Sequence, residues 1–220
     1  MKPSRDDDRE EAAKTRARRK MTALLRQYGI EEARLLAAMG KVRRHLFIPE
    51  SYRETGDAYG DHPVPIGLEQ TISQPFIVAY MIGKLELQPG ERVLEIGAGS
   101  GYQAAVLAEL GARVFAIELV PGLARHAGAV LEAEGYADRV QVLAGDGYHG
   151  WPEHAPFDAI VGACAPADEP VALFDQLKDG GRAIFPIGGA GEQRLVIIRK
   201  KGGRLTRQND LPVRFVPMVK

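Results

Sequence analysis

The run Arg92-Val-Leu-Glu-Ile-Gly-Ala-Gly-Ser-Gly-Tyr102 decides the fold. A short apolar strand ends in Gly97, Gly99 and Gly101 and a helix begins at once. Such a turn brings bare backbone and a helix N-terminus up to a ligand. The spacing is G-x-G-x-G and lacks the later glycine of the dinucleotide fingerprint, which disfavours NAD and FAD. A glycine-rich turn alone is a weak signal, so its surroundings have to carry the reading.

Downstream, apolar runs alternate with helical periodicity. Strands are expected at 113–117, 139–144, 157–162, 182–187, 194–199 and 213–217, and helices at 76–85, 102–110, 121–134 and 169–177. Strand and helix in alternation predict an α/β fold with a mostly parallel sheet covered on both faces. The last three strands lack long crossovers and are expected to be hairpin-connected. Upstream, residues 21–50 carry apolar residues at helical spacing around Gly29, which reads as two short helices. Residues 51–75 hold Gly56, Gly60, Pro63, Pro65, Gly67 and Pro75 and read as a long irregular segment, a kind that compact domains keep for function.

The chain then divides into a charged tail at 1–20 and one domain at 21–220. Within that domain, 21–75 supplies helices and the active-site loop, 76–200 the cofactor-binding core, and 201–220 a hairpin strand on the substrate side. In the tail an acidic run from Asp6 to Glu11 precedes Lys14, Arg16, Arg18, Arg19 and Lys20, the pattern of a solvated, frayed helix or tail.

Net charge is +0 over 220 residues, so no global field favours nucleic acid or an anionic membrane. Cys164 is the only cysteine, which excludes an internal disulfide and suits a reducing compartment. The opening residues contain no apolar signal region and no run long enough to span a bilayer occurs. A cytoplasmic monomer is expected. His45, His126, His149 and His154 show no ligand spacing, and no metal is expected.

Three carboxylates give the turn its chemistry. Glu118 ends the second strand of the alternating region and suits both ribose hydroxyls of a bound nucleoside. Asp146, in Gly145-Asp-Gly147, suits an adenine amino group, and Glu95 suits a charged amino end. Acidic groups at three strand ends, with no phosphate-binding lysine, fit a cofactor with adenosine and an ammonium but no phosphate. That describes S-adenosylmethionine. Asp158, inside its strand, is left open between a structural and a supporting role.

The sequence resembles the protein-L-isoaspartate (D-aspartate) O-methyltransferases over residues 21–220. The most specific stretch is Pro65-Ile-Gly-Leu-Glu-Gln-Thr-Ile-Ser-Gln-Pro75, similar to the family signature PIGxGQTISQP. Ala58-Tyr-Gly-Asp61, Leu94–Ala105, Gly145–Gly147, Gly150–Glu153, Ala155–Ile160 and Val213–Pro217 match in order. The resemblance implies a seven-stranded Rossmann-like class I methyltransferase with an N-terminal helical appendage. It implies methyl transfer to the free carboxylate of L-isoaspartyl residues in damaged proteins and peptides, whose ester then collapses to a succinimide. By the same resemblance Ser73 is the catalytic residue. Thr71, Ile72, Gln74, Glu95, Gly97, Gly99, Ser100, Gly101, Glu118, Leu119, Asp146 and Gly147 hold the cofactor, and Ile66, Ser73, Val213 and Val216 hold the peptide.

The chemistry agrees. A carboxylate of pKa about 4 is already ionised at neutral pH, so no strong base is needed. Alignment alone supplies up to roughly 7 to 11 kcal/mol. Ser73 therefore reads as an orienting donor, whereas an arginine clamp would stabilise the ground-state charge that the transition state loses. Three departures bear on the substrate: Glu69 replaces a glycine, Gly162-Ala-Cys164 replaces Val-Thr-Ala, and Glu169 replaces isoleucine. They raise two alternatives, an aspartyl methyltransferase acting on a dedicated precursor peptide and a weakly active cofactor-binding relative.

Overall fold

The computed structural model describes residues 5–53, 57–189 and 191–220. In chain order it contains α1 (Arg5–Gln27), α2 (Ala33–Lys41), α3 (Glu50–Arg53), β1 (Val64–Gly67), β2 (Gln70–Ile72) and α4 (Pro75–Lys84). The alternating region follows as β3 (Arg92–Ile96), α5 (Tyr102–Glu109), β4 (Arg113–Glu118), α6 (Pro121–Ala133), β5 (Val140–Ala144) and β6 (Phe157–Gly162). The chain ends with α7 (Val171–Asp175), β7 (Leu177–Ile187), β8 (Gln193–Lys201) and β9 (Arg204–Val213).

Seven strands form one sheet in the order β5-β4-β3-β6-β7-β8-β9. The first five are parallel, and β8 and β9 are added antiparallel. The strand order reverses at β3, whose neighbours β4 and β6 lie on opposite sides. Loops leaving β3 and β6 diverge there and open a crevice, the usual ligand position in an open α/β sheet.

Both faces of the sheet are buried, which explains the near-continuous apolar strands. Val93, Val114, Ala116, Ala159 and Val161 face a core built with α1, α2, α4, α5 and α6. Leu94, Ile96, Phe115, Ile117, Phe157 and Ile160 face a second core closed by Leu173, Phe174 and Met218. The strict alternation follows from the two-residue period of a strand. It also sends Glu95, between Leu94 and Ile96, to the helix-rich side.

Three expectations are corrected. The boundary expected at residue 20 is absent: of the two forms expected for the charged stretch the helix is found, from Arg5, and it runs on without a break to Gln27, anchored by buried Met21 and Leu25. Its outer turns stand in solvent, where Glu10 and Lys14 pair at 2.5 Å across one turn. The irregular segment at 51–75 contains a hairpin, with Val64 opposite Ile72 and Pro65 opposite Thr71. The last strand is Arg204–Val213, not 213–217, and residues 214–217 leave the sheet except for a bridge between Ala165 and Pro217.

Candidate active site

The loop after β3 is held from below. Gly97 and Ala98 donate backbone N–H groups to the Ile117 carbonyl at 2.8 and 3.0 Å. Glu118 then accepts from Gly99 N at 2.8 Å and from Val120 N at 3.0 Å, one bond to each carboxylate oxygen. Each oxygen keeps lone-pair capacity for a ligand hydroxyl. All three loop glycines have positive φ, at 85°, 53° and 84°. Gly101 also caps α5 against Ala127 and Leu131, where a Cβ would come within 3.1 Å of Leu131.

Around this loop lies a cleft. Of the residues expected at the cofactor, Thr71, Ile72, Glu95, Gly97, Gly99, Ser100, Glu118, Leu119 and Gly147 line it, as does Ser73. Gln74, Gly101 and Asp146 do not. Gln74 faces the neighbouring cavity, and Gly101 is committed to helix packing. Asp146 caps the turn at Gly147–His149 by accepting from Tyr148 N at 2.8 Å, so its backbone neighbour Gly147, rather than its carboxylate, meets the cleft wall.

Glu95 is the least ordinary group. Its residue is fully buried, Gln103 Nε2 donates to Oε1 at 3.0 Å, and Oε2 has no partner. Burial pushes its pKa up to about 8, with the nearby Glu118 charge adding to the rise and the Gln103 bond opposing it. A buried carboxyl group with an empty oxygen on a ligand-sized cleft suits a cation. With Glu118 at the end of the neighbouring strand β4, these two acceptors suit the ammonium and the ribose hydroxyls of S-adenosylmethionine.

Ser73 lies between β2 and α4. Pro75 starts α4, and Asp61 caps it from upstream by accepting from Phe76 N at 2.7 Å and from Gln74 Nε2 at 3.4 Å. That pair of bonds pins the Ser73-Gln74 turn and gives a reason for the matching stretch Ala58–Asp61. No hydrogen-bond partner of the Ser73 hydroxyl is found among the described residues. Ser73, Thr71, Ala163 and Val216 line both the cofactor cleft and a second cavity of about 780 Å³. Val213 also lines that cavity, while Ile66 lines neither and is buried against Gly99.

Sequence reading missed several wall residues. Met218 and Val219 close the cofactor cleft from a strap that follows β9, held where Ala165 N donates to Val216 O at 2.8 Å and Met218 N to Ala165 O at 2.7 Å. Gln70, Val78 and Gln103 also line the cleft. Gln103 was within reach of inference, since it sits on the first turn of the helix that the glycine loop starts.

The departures also find places. Glu69 is exposed at the hairpin turn, lines neither cavity, and adopts φ 60° beside Leu68 at 52°. Gly162 leaves room for the Phe185 ring, which would stand 2.2 Å from any Cβ there. Ala163 replaces a hydroxyl at the junction of the two cavities. Cys164 lines the cleft with a thiol pushed up to about 12 by burial. Glu169 pairs with Arg207 at 2.6 Å.

Comparison with known proteins agrees with this geometry. The family model described as protein-L-isoaspartate(D-aspartate) O-methyltransferase matches residues 16–220. A protein-L-isoaspartate O-methyltransferase of Gloeobacter violaceus is 54% identical over 197 residues, 89% of this chain and 95% of that protein. One from Methylorubrum populi is 51% identical over 206 residues, 93% of this chain and 95% of its own length. A solved protein-L-isoaspartate O-methyltransferase superposes with a TM-score of 0.84 at 31% identity, over 92% of this chain and 66% of that one. The Plasmodium falciparum protein described as a beta-aspartate methyltransferase, solved with S-adenosyl-L-homocysteine, gives 0.79 at 25% identity over 92% and 98% of the two chains.

Proposed function

The chain belongs to the protein-L-isoaspartate (D-aspartate) O-methyltransferase family, and from that premise we propose that Ser73 orients the free carboxylate of an L-isoaspartyl residue for methylation by S-adenosylmethionine. The reaction repairs damaged proteins and peptides. When bound, the cofactor supplies a sulfonium-activated methyl group. Glu95 holds its ammonium, Glu118 its ribose hydroxyls, and the Gly97–Gly101 loop lets the backbone approach without side chains between.

The observation that carries the reading is the position of Ser73. Ser73, whose hydroxyl has no partner among the described residues, lines both the cofactor cleft and the adjoining cavity, so one donor sits at the boundary that the methyl group must cross. A neutral donor fixes the carboxylate's direction with a modest bond and leaves its charge available to the transition state. Thr71 flanks it on the same boundary, and Ile72 between them points to the core with 4% exposure. Val213 and Val216 form the opposite, apolar wall for the peptide. No helix among the described residues is long and apolar enough to cross a membrane, and we assign the reaction to the cytoplasm and to a monomer.

The test uses tritiated S-adenosylmethionine and two matched peptides, one with L-isoaspartate and one with aspartate. Transfer to the isoaspartyl peptide alone is expected. Ser73→Ala is expected to lower turnover by about tenfold or more, the loss of one hydrogen bond of about 1.5 kcal/mol in the transition state, while cofactor affinity stays within twofold. Transfer to the aspartyl peptide alone, or equal loss of turnover and cofactor affinity, overturns the assignment.

A further inference from the structure

The arginines of the β8–β9 side are mostly satisfied by carboxylates. Arg194 lies 3.3 Å from Glu192, Arg199 lies 2.6 Å from Glu86, and Arg207 lies 2.6 Å from Glu169. Arg214 is exposed and has neither an ion pair nor a hydrogen bond from its side chain among the described residues. It is also the one charged residue among those described that line the cavity beyond Ser73.

Residues 213–215 form a ridge. On one side is that cavity, and on the other a hollow of about 410 Å³ reaching Gly188, Gly189 and Glu192. Gln193 pins the ridge, accepting from Phe215 N at 2.6 Å and donating to Phe215 O at 3.1 Å. A cation with no partner among the described residues is thus mounted, exposed, on a fixed segment that lines the cavity beyond Ser73.

We propose that Arg214 recognises an acidic side chain flanking the isoaspartyl residue, so that the enzyme prefers damaged sites in acidic sequence. This rests on the isoaspartyl reading given above. The reacting carboxylate itself is a poor partner, because a guanidinium would stabilise the charge lost in the transition state. A rim cation instead acts on a charge that methyl transfer leaves unchanged, so its contribution falls on peptide affinity. An exposed ion pair supplies about a two- to fivefold effect, weakened by salt.

Three isoaspartyl peptides, identical except for Glu, Gln or Lys on both sides of the damaged residue, test this with the full-length enzyme. In the native enzyme KM is expected to rise in the order Glu, Gln, Lys by about two- to fivefold per step, with kcat nearly constant. Arg214→Met flattens the series, and Arg214→Glu reverses it. A flat series in the native enzyme, or an unchanged series in Arg214→Met, overturns the proposal. An equal loss on all three peptides in Arg214→Met overturns it in favour of a contact with the reacting carboxylate. Failure to methylate even the Gln peptide refutes the isoaspartyl reading itself, and this proposal with it.

Discussion

On the reading proposed above, in which Glu95 holds the ammonium, cofactor binding is expected to release a proton. Burial disfavours the charge of Glu95 and pushes its carboxyl group up to about 8, one of its oxygens has no partner, and the residue lines the cleft. An arriving ammonium requires the ionised form, so apparent affinity scales with the ionised fraction. At pH 7 a group of pKa about 8 is protonated to about 0.9, so binding should release about 0.9 proton per cofactor. From pH 6 to pH 7 the affinity of S-adenosylhomocysteine should rise by about tenfold, roughly 1.4 kcal/mol. The window closes above, because a free α-amino group loses its own charge at about 7.7 to 8.0. Calorimetry in two buffers of different ionisation enthalpy measures both quantities. Stability of the unliganded chain runs the opposite way with pH. A folded pKa raised above the unfolded 4.5 favours the folded state at low pH, and that contribution is lost as pH rises through about 8. Glu95→Gln should remove the pH slope of binding, lower affinity at pH 7.5, and unfold no earlier than the native chain at pH 8. Affinity independent of pH between 6 and 7.5 in the native enzyme, with no proton release, would refute the reasoning.

Two further outcomes are expected. Glu69 sits at φ 60° in a two-residue turn that favours glycine or asparagine, so Glu69→Gly should gain about 0.5 to 1 kcal/mol after the entropy cost of glycine and raise Tm by about 1 to 4 °C. Glu69→Gln keeps the backbone strain and removes the charge; a large rise in isoaspartyl turnover in that variant would show that the carboxylate reaches the substrate after all. Arg182, buried in β7, bonds the Leu85, Glu86 and Asp158 carbonyls and pairs with Glu91 at 2.5 Å. Arg182→Met should cost about 3 kcal/mol and lower Tm by roughly 6 to 12 °C without changing cofactor KM, and an unchanged melting curve would contradict that role.

The parallel core was legible because its strands are buried on both faces and its helices are amphipathic. The edges were not. The last strand, Arg204–Val213, lies at the sheet margin with mostly exposed or half-buried residues, so it carries no apolar alternation. The following Val213–Pro217 does look like a strand by composition, yet its side chains line cavities. The β1–β2 hairpin escaped notice because its turn is Leu68-Glu69 rather than a glycine or asparagine pair. The choice between helix and tail for the charged stretch from Arg5 stayed open in the sequence because its outer turns bury little. The acidic positions of the cofactor site could be read from strand ends, but not the burial of Glu95, because an apolar strand covered on both sides does not reveal which face a polar residue meets.

The same geometry sorts the departures from the family pattern by what they can affect. Glu69 is a backbone problem at an exposed turn. Gly162 is a packing exchange, since the Phe185 ring fills the space a side chain would need. Glu169 is answered by Arg207 on the surface. Only Ala163 stands on the wall shared by the cofactor cleft and the peptide cavity. Replacing a threonine there removes a hydroxyl from the boundary where Ser73 acts, and leaves Ser73 and Thr71 as the hydroxyl donors among its shared lining residues. On the proposed reading, orientation of the carboxylate then depends more heavily on Ser73 in this chain, and discrimination between peptides is expected to fall to Arg214, the one charged group among the described residues lining the peptide cavity.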